Sequence, residues 1–244
     1  MVGFQGTLLA ADDGSPAGRH ATAVAERLAR RVEGGLTVVT VLSSPGDALP
    51  MSLTAADPRI AYGIPSIEIV RAAEAIGAGL LVMGRAGAGP CHPRLGSTAD
   101  GVVRRSLVPT LFVPLGQSEF RRVAIAIDGT ERGMAVLHIG EELPGLGAAE
   151  VAILMVEPVS DSASTPPPGE RIRVLDAAAR FRGLPAPAVH VLEGEPTAVI
   201  AKHLVRTAVD LLVIGVRHGA GGASSGVGRG LLHAAPCAVL TIPI

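Results

Sequence analysis

The chain has 244 residues, enough for one large domain or two of ordinary size. Apolar residues make up 48 % of it, yet there are only four Phe, one Tyr and no Trp, so the core has to be built from Ala, Val, Leu and Ile. The formal net charge is −1, no basic block occurs and Lys202 is the only lysine, which argues against a nucleic-acid surface and excludes a phosphate loop that needs a Gly-Lys pair.

The amino terminus, MVGFQGTLLAADDGS, has no cationic start and runs straight into a strand, so no signal peptide is expected. After it, TLLAADDGSPAGRHATAVAERLARR (7–31) reads as a strand, an Asp-Gly-Ser turn and an amphipathic helix. TVVTVL (37–42) is the second strand. The segment 43–62 is short for a full helix plus a strand, so either the helix is reduced to a turn or the third strand is vestigial. GIPSIEIVRAAEAIGAGLLVMG (63–84) gives Gly-x-Pro, a helix, a buried strand and a terminal Gly, and a glycine-rich stretch then runs to Gly96-Ser97-Thr98. RRSLVPTLFVP (104–114) closes the block with a last strand.

A polar stretch, Leu115 to Phe120, precedes a second round. Strands are expected near 122–127, 150–156, 187–192, 210–215 and 238–242, with helices near 130–142, 169–182, 196–208 and 226–234. RVAIAIDGTERGMAVLHIGEEL (122–143), GEPTAVIAKHLVRTAVDLLVIG (194–215) and LLHAAPCAVLTIP (231–243) repeat the three blocks of the first half in the same order. Such repetition marks two homologous domains, 1–115 and 121–244. Short Val/Leu/Ile runs alternating with helices imply an α/β fold, two tandem doubly wound parallel sheets, the first copy abridged. No apolar stretch approaches the ~18–20 residues that span a bilayer, and a cytoplasmic protein is expected. Cys91 and Cys237 are far apart without a C-x-x-C, which suits a reducing compartment and neither disulfide nor zinc. The seven histidines show no ligand spacing.

Open parallel sheets bind ligands beyond the carboxyl ends of their strands. Two such ends carry chemistry: Asp12-Asp13-Gly14-Ser15 after strand one and Gly84 to Thr98 after strand four. Glycines let a backbone approach an anion, and an acidic side chain opposite suits ribose hydroxyls, so the loop reads as a phosphate cradle for a nucleotide. The same residues are also well-formed helix starts, with Ser15 as a cap before Pro16, and Gly96-Ser97 could serve only that purpose.

The blocks D-G-S, G-x-P…L-L-V-M-G, G-x-x-G…G-S and V-P-x-L-x-V-P resemble the universal stress protein family, over essentially the whole chain and twice. The resemblance implies a five-stranded parallel sheet in the order 3-2-1-4-5 in each copy, of the adenine nucleotide alpha hydrolase-like type. One branch of that family binds ATP through G-x-x-G-x9-G-[ST], with no dedicated catalytic machinery and at most slow hydrolysis. It further implies an adenine nucleotide ligand, ATP or a near relative, with or without Mg²⁺, although no carboxylate cluster here demands a metal. Carried over, Asp13 contacts the ribose or adenine end, Val41 lines the base pocket, Gly84 and Gly87 wrap the phosphates, and Gly96, Ser97 and Thr98 bind them. From Gly87 to Gly96 there are eight intervening residues instead of nine, a departure in the cradle itself. Arg85 and Arg94 are expected on the solvated surface.

In the second copy Asp128 and Val156 match Asp13 and Val41. Gly215-Val216-Arg217-His218 stands in place of G-x-x-G, and Ser225 and Gly226 lie near the helix start. Pairing through the last strands, TLFVP and VLTIP, is the family's habit, which implies an intramolecular pseudo-dimer of the two domains or a homodimer. Against the nucleotide receptor stands a module with empty pockets that works through protein contacts.

Overall fold

The computed structural model describes residues 4, 6–47, 59–85, 95–128, 130–157, 174, 181, 183–217 and 226–244, with only the backbone of Arg132. It divides into two compact units, Met1–Ser118 and Glu119–Ile242, and Ile244 belongs with the second. Within the first, β1 (Thr7–Ala11) leads through α1 (Pro16–Arg31) to β2 (Gly35–Leu42) and β3 (Arg59–Tyr62). There follow α2 (Pro65–Ala75), β4 (Leu80–Gly84), α3 (Ser97–Val103) and β5 (Thr110–Val113). The strand order is β3-β2-β1-β4-β5, and every pairing is parallel. Leu8 lies opposite Leu36 on one side and Leu80 on the other, so β1 has a neighbour along both edges. Leu8, Leu9 and Ala10 are buried as a result, and each covered leucine contributes on the order of 1.5–3 kcal/mol.

Local chemistry sets the helix ends. Ser15 has extended backbone and its side chain accepts from the Gly18 amide, Pro16 fills the first helical turn, and Arg30 and Arg31 sit in the last turn, where the dipole favours cations. Ala21, Val24, Ala25 and Leu28 form the buried stripe of α1. The Gly-x-Pro starts of α2 and of its counterpart in the second unit prove to be packing joints. A Cβ on Gly101 of α3 would lie 2.5 Å from the Ser66 Cβ at the start of α2. Glycine there lets the two helices close on one another.

The second unit repeats the plan with β6 (Arg122–Ile127), α4 (Glu131–Val136), a 3-10 turn (Leu137–Glu141) and α5 (Leu143–Leu146). Then come β7 (Glu150–Glu157), β8 (Ala188–Glu193), α6 (Pro196–Arg206), β9 (Leu211–Val216), α7 (Val227–Ala234) and β10 (Ala238–Pro243). The order β10-β9-β6-β7-β8 is the order of the first unit, and a Cβ on Gly230 of α7 would meet the Thr197 hydroxyl at 2.8 Å, the same joint again. The family's strand order thus holds in both copies.

One expectation changes. The helix expected over 130–142 is broken into α4, the 3-10 turn and α5. At Gly140 a Cβ would sit 2.1 Å from the Phe181 ring, so the aromatic side chain presses on the backbone, and Pro144 allows the chain to restart only as a first turn. In the abridged copy the third strand is present but four residues long, and 43–47 is bend and turn, while 48–58 lies outside the described residues. The helix expected over 169–182 also falls outside them, apart from Val174 and Phe181, both buried. Among the described residues no helix is long and apolar enough to cross a membrane.

At the amino-terminal edge of β6, β7 and β8, His190 and His203 bring their rings to 5.0 Å, with Arg122 and Glu150 lining the same hollow. His203 is 4 % exposed. Burial, then the nearby His190 and Arg206, hold its imidazole below the ordinary histidine range. The unfolded chain therefore binds a proton at His203 more readily than the folded one, and stability rises with pH in that window. Denaturant midpoints are expected to fall as pH drops from about 7 through the ordinary histidine value of about 6.5, and His203→Gln should flatten the profile.

Candidate functional site

The carboxyl end of β1 carries two adjacent carboxylates with different settings. Asp12 is 2 % exposed. Its amide donates to the Val39 carbonyl at 3.0 Å, its carbonyl accepts from the Thr40 hydroxyl at 2.9 Å, and its Oδ1 accepts from the Gly14 amide at 2.8 Å. Asp13 is exposed, and its Oδ1 accepts from the Ser15 amide at 3.0 Å. Gly14 turns the chain at φ +75°, and the Arg19 guanidinium holds its carbonyl. Gly18 explains how so many acceptors fit against a helix start: a Cβ there would lie 2.6 Å from the Asp13 Oδ1 and 2.8 Å from the Asp12 Oδ1. The second unit builds the same turn. Asp128 Oδ1 accepts from the Thr130 amide at 3.1 Å and the Thr130 hydroxyl at 2.7 Å, that hydroxyl caps the Gly133 amide, and a Gly133 Cβ would come within 2.2 Å of the carboxylate.

Both copies thus share D-G-[ST]-x-x-G, of which sequence reasoning used only the first three residues. Its last glycine was visible at the same spacing in each half, at Gly18 and Gly133.

The end of β4 faces this turn. The Arg85 amide donates to the Val113 carbonyl at 3.1 Å, and the Gly96 amide donates to the Arg85 carbonyl at 3.1 Å. Those two bonds pin the first and last residues of the connection to neighbouring positions on β5 and β4. Gly96 is the N-cap of α3 with extended backbone and no side-chain cap bond. Ser97 and Thr98 begin the helix, and their hydroxyls make no hydrogen bond to a described residue.

A cavity of about 280 Å³ lies between the two strand ends. Asp13, Val41, Gly84, Gly96, Ser97 and Thr98, which the resemblance assigns to one site, all line it. Gly87 lies outside the described residues. Its lining is apolar at Val39, Val41, Ile69 and Met83 and polar at Asp12, Asp13, Arg85 and the start of α3. An apolar slot with a few converging polar groups is the general form of a small-molecule site. The cavity sits at the low end of the usual ~300–1,000 Å³.

Two details differ from the sequence expectation. Arg85 is not a surface residue: it is 4 % exposed and lines the cavity. Arg94 is outside the described residues. And Gly84 owes its small size to packing, since a Cβ there would meet the Ala17 Cβ at 3.0 Å and the Ala17 carbonyl carbon and oxygen at 3.1 Å. The strand needs glycine to let α1 cross it, whatever else the residue does.

A second cavity of about 630 Å³ occupies the same place in the other unit, and Asp128, Val156, Gly215 and Gly226 line it, while Ser225 falls outside the described residues. Gly215 is crowded by the Ile244 and Val136 side chains, at 2.7 and 2.9 Å from a Cβ placed there. Exposed Arg217 and half-buried Arg229 stand at the edge of this cavity. Among the described residues no group of three or more His, Cys, Asp or Glu could hold a metal ion.

Comparison with known proteins agrees with this architecture. The family model for the universal stress proteins matches residues 55–114 and 119–243. No curated protein matches the chain. Among solved structures, a universal stress protein from Archaeoglobus fulgidus DSM 4304 is 19 % identical, with 100 % of this chain and 98 % of that chain covered and a TM-score of 0.70. A putative universal stress protein from Pseudomonas aeruginosa UCBPP-PA14 is 17 % identical, covering 97 % of this chain and 92 % of its own, also at 0.70. A protein of unknown function from Pseudomonas aeruginosa PAO1 is 15 % identical at 97 % and 92 % coverage, with a TM-score of 0.67. At these identities the likeness is one of fold.

Proposed function

The chain belongs to the universal stress protein family, and on that footing we propose that its first unit binds ATP or a related adenine nucleotide as a regulatory ligand in a stress response. The observation that carries the reading is the meeting of an exposed carboxylate, an apolar wall and two uncommitted hydroxyls around one cavity at the switch point of the sheet. The Val39–Val41 and Met83 side suits a purine face, Asp13 suits ribose hydroxyls, and Ser97 and Thr98 offer hydroxyl donors to phosphate oxygens at the open rim. Asp13 keeps one oxygen for its own turn and has the other to spare. The second unit holds the matching carboxylate, Asp128, but has His218 where the first unit's G-x-x-G has its second glycine, so it ranks below the first.

No lysine is among the described lining residues, and in this reading the ligand's role is to be sensed. Calorimetric titration with ATP tests the reading. Wild type is expected to bind, and Ser97→Ala/Thr98→Ala to lose on the order of a hundredfold or more in affinity, since each of two hydrogen bonds to a charged group contributes about 1.5–3 kcal/mol. Equal binding by the two proteins would remove the site.

A second reading, a module with empty pockets that works through protein contacts, draws on Tyr62 and Ile64, which leave 47 % and 62 % of their surface exposed on either side of Gly63. Native mass spectrometry of the purified protein separates the two, because a sensor of good affinity carries nucleotide with it.

A further inference from the structure

The floors of the two cavities differ in charge although the units share one plan. Aligning Asp13 with Asp128 and Gly84 with Gly215 places Asp12 against Ile127 and Arg85 against Val216. All four are buried, at 2 %, 6 %, 4 % and 7 % exposure respectively, and each lines the cavity of its own unit. One copy therefore buries a carboxylate and a guanidinium on adjacent strands where the other buries two aliphatic side chains. The second unit demonstrates that this fold is satisfied by the apolar pair. Burying charges costs several kcal/mol per ion before compensation, and an apolar replacement of similar volume is often neutral or stabilising. The first unit retains the charges at the one place where they face a cavity.

The neighbouring bonds show that both side chains start from fixed backbone. Asp12 is tied to β2 through the Val39 carbonyl and the Thr40 hydroxyl, and Arg85 is tied to β5 and to Gly96. Gly84 contributes no opening for an anion, because α1 occupies the space its side chain would take. Resting on the nucleotide reading above, we infer that Arg85 is the residue by which the first unit selects ligands bearing a phosphoryl group over the bare nucleoside. A guanidinium presents a rigid fork of donors that matches phosphate oxygens. Arg85 is buried, and attraction to a buried charge is screened by salt less than attraction to an exposed one. The second unit has Ile127 and Val216 at the matching positions, and the cations among its described lining residues are exposed Arg217 and half-buried Arg229, whose attraction for an anion salt weakens more.

The test compares wild type with Asp12→Ile/Arg85→Val, which installs the second unit's residues in the first. Full-length protein is titrated calorimetrically with ATP and with adenosine in high salt, where the exposed Arg217 is screened. The expected result is a preference for ATP over adenosine in wild type that falls at least tenfold in the variant, with adenosine affinity changed less than twofold. An unchanged ratio overturns the inference and leaves the nucleotide reading standing. If the double variant melts early, Arg85→Gln, which keeps length and hydrogen-bonding capacity, is read in the same way. If wild type binds neither ATP nor adenosine, the nucleotide reading falls. The same proteins are then titrated with inorganic pyrophosphate, and binding lost on changing Arg85 supports the residue's role while its persistence or absence overturns it.

Discussion

Gly84→Val is expected to destabilise the first unit strongly, and to act on folding before it acts on any ligand. The first added carbon already stands 3.0–3.1 Å from the Ala17 side chain and carbonyl, and valine brings two methyls more. Relief requires α1 to move off β4, the helix and strand whose packing covers the centre of the sheet. Overpacking of this kind costs about 1–3 kcal/mol and at times more, a large share of the ~5–15 kcal/mol that holds a domain together. The first unit should melt several degrees earlier, at roughly 2–4 °C per kcal/mol, and Gly84→Ala should show a smaller shift of the same sign. Ala17→Gly in the Gly84→Ala background should restore only part of the loss, because two of the three contacts are to backbone atoms that no substitution at 17 removes. A valine variant with wild-type melting and weakened ATP binding would mean that the glycine exists for the ligand.

Asp13→Ala is expected to separate binding from stability in the opposite way. The carboxylate is exposed, and its one bond within the chain is to the Ser15 amide. Removing an exposed turn bond of this type costs about 0.5–1.5 kcal/mol, and α1 keeps its cap from Ser15. Loss of the ribose contact removes a charge-assisted hydrogen bond, about 1.5–3 kcal/mol, or roughly tenfold to a hundredfold in affinity for ATP. Asp13→Asn preserves an acceptor for the Ser15 amide and should recover the melting temperature while binding stays weak. Calorimetry and thermal melting on the same samples check both halves. An alanine variant that binds ATP as wild type does would detach Asp13 from the ligand.

The architecture was legible because its strands are short apolar runs closed by glycine or acid, and because the blocks come twice. LLVMG and LLVIG read as buried parallel strands in isolation, and they fold as such. The turn at Asp13 was legible in part: the Asp-Gly-Ser stretch gave the cap, but the meaning of Gly18 depends on where two carboxylates point, which is a three-dimensional fact. Arg85 was misplaced for a related reason. A charged residue among glycines looks solvated along the chain, and only the bonds of its backbone to Val113 and Gly96 carry it inside. The break in the helix after Thr130 has only Gly140 as its sign within 130–142, and its cause, the Phe181 ring against that glycine, is a contact between residues far apart in the chain.

The strand order has a consequence for how the chain comes into being. In each unit the strand synthesised first ends up at the centre, and one of its two partners is made late: β1 must wait for β4, and β6 for β9. During translation a nascent first unit can pair β1 with β2 while its other edge, Leu8 to Ala11, stays open until Leu80 emerges from the ribosome. Parallel pairing at such sequence separation is slow to form and prone to sticking in the interval. The seam between β1 and β4 is therefore the point at which a chain of this design most needs protection while young, and mutations at that seam should lower yield in the cell more than they lower stability in the tube.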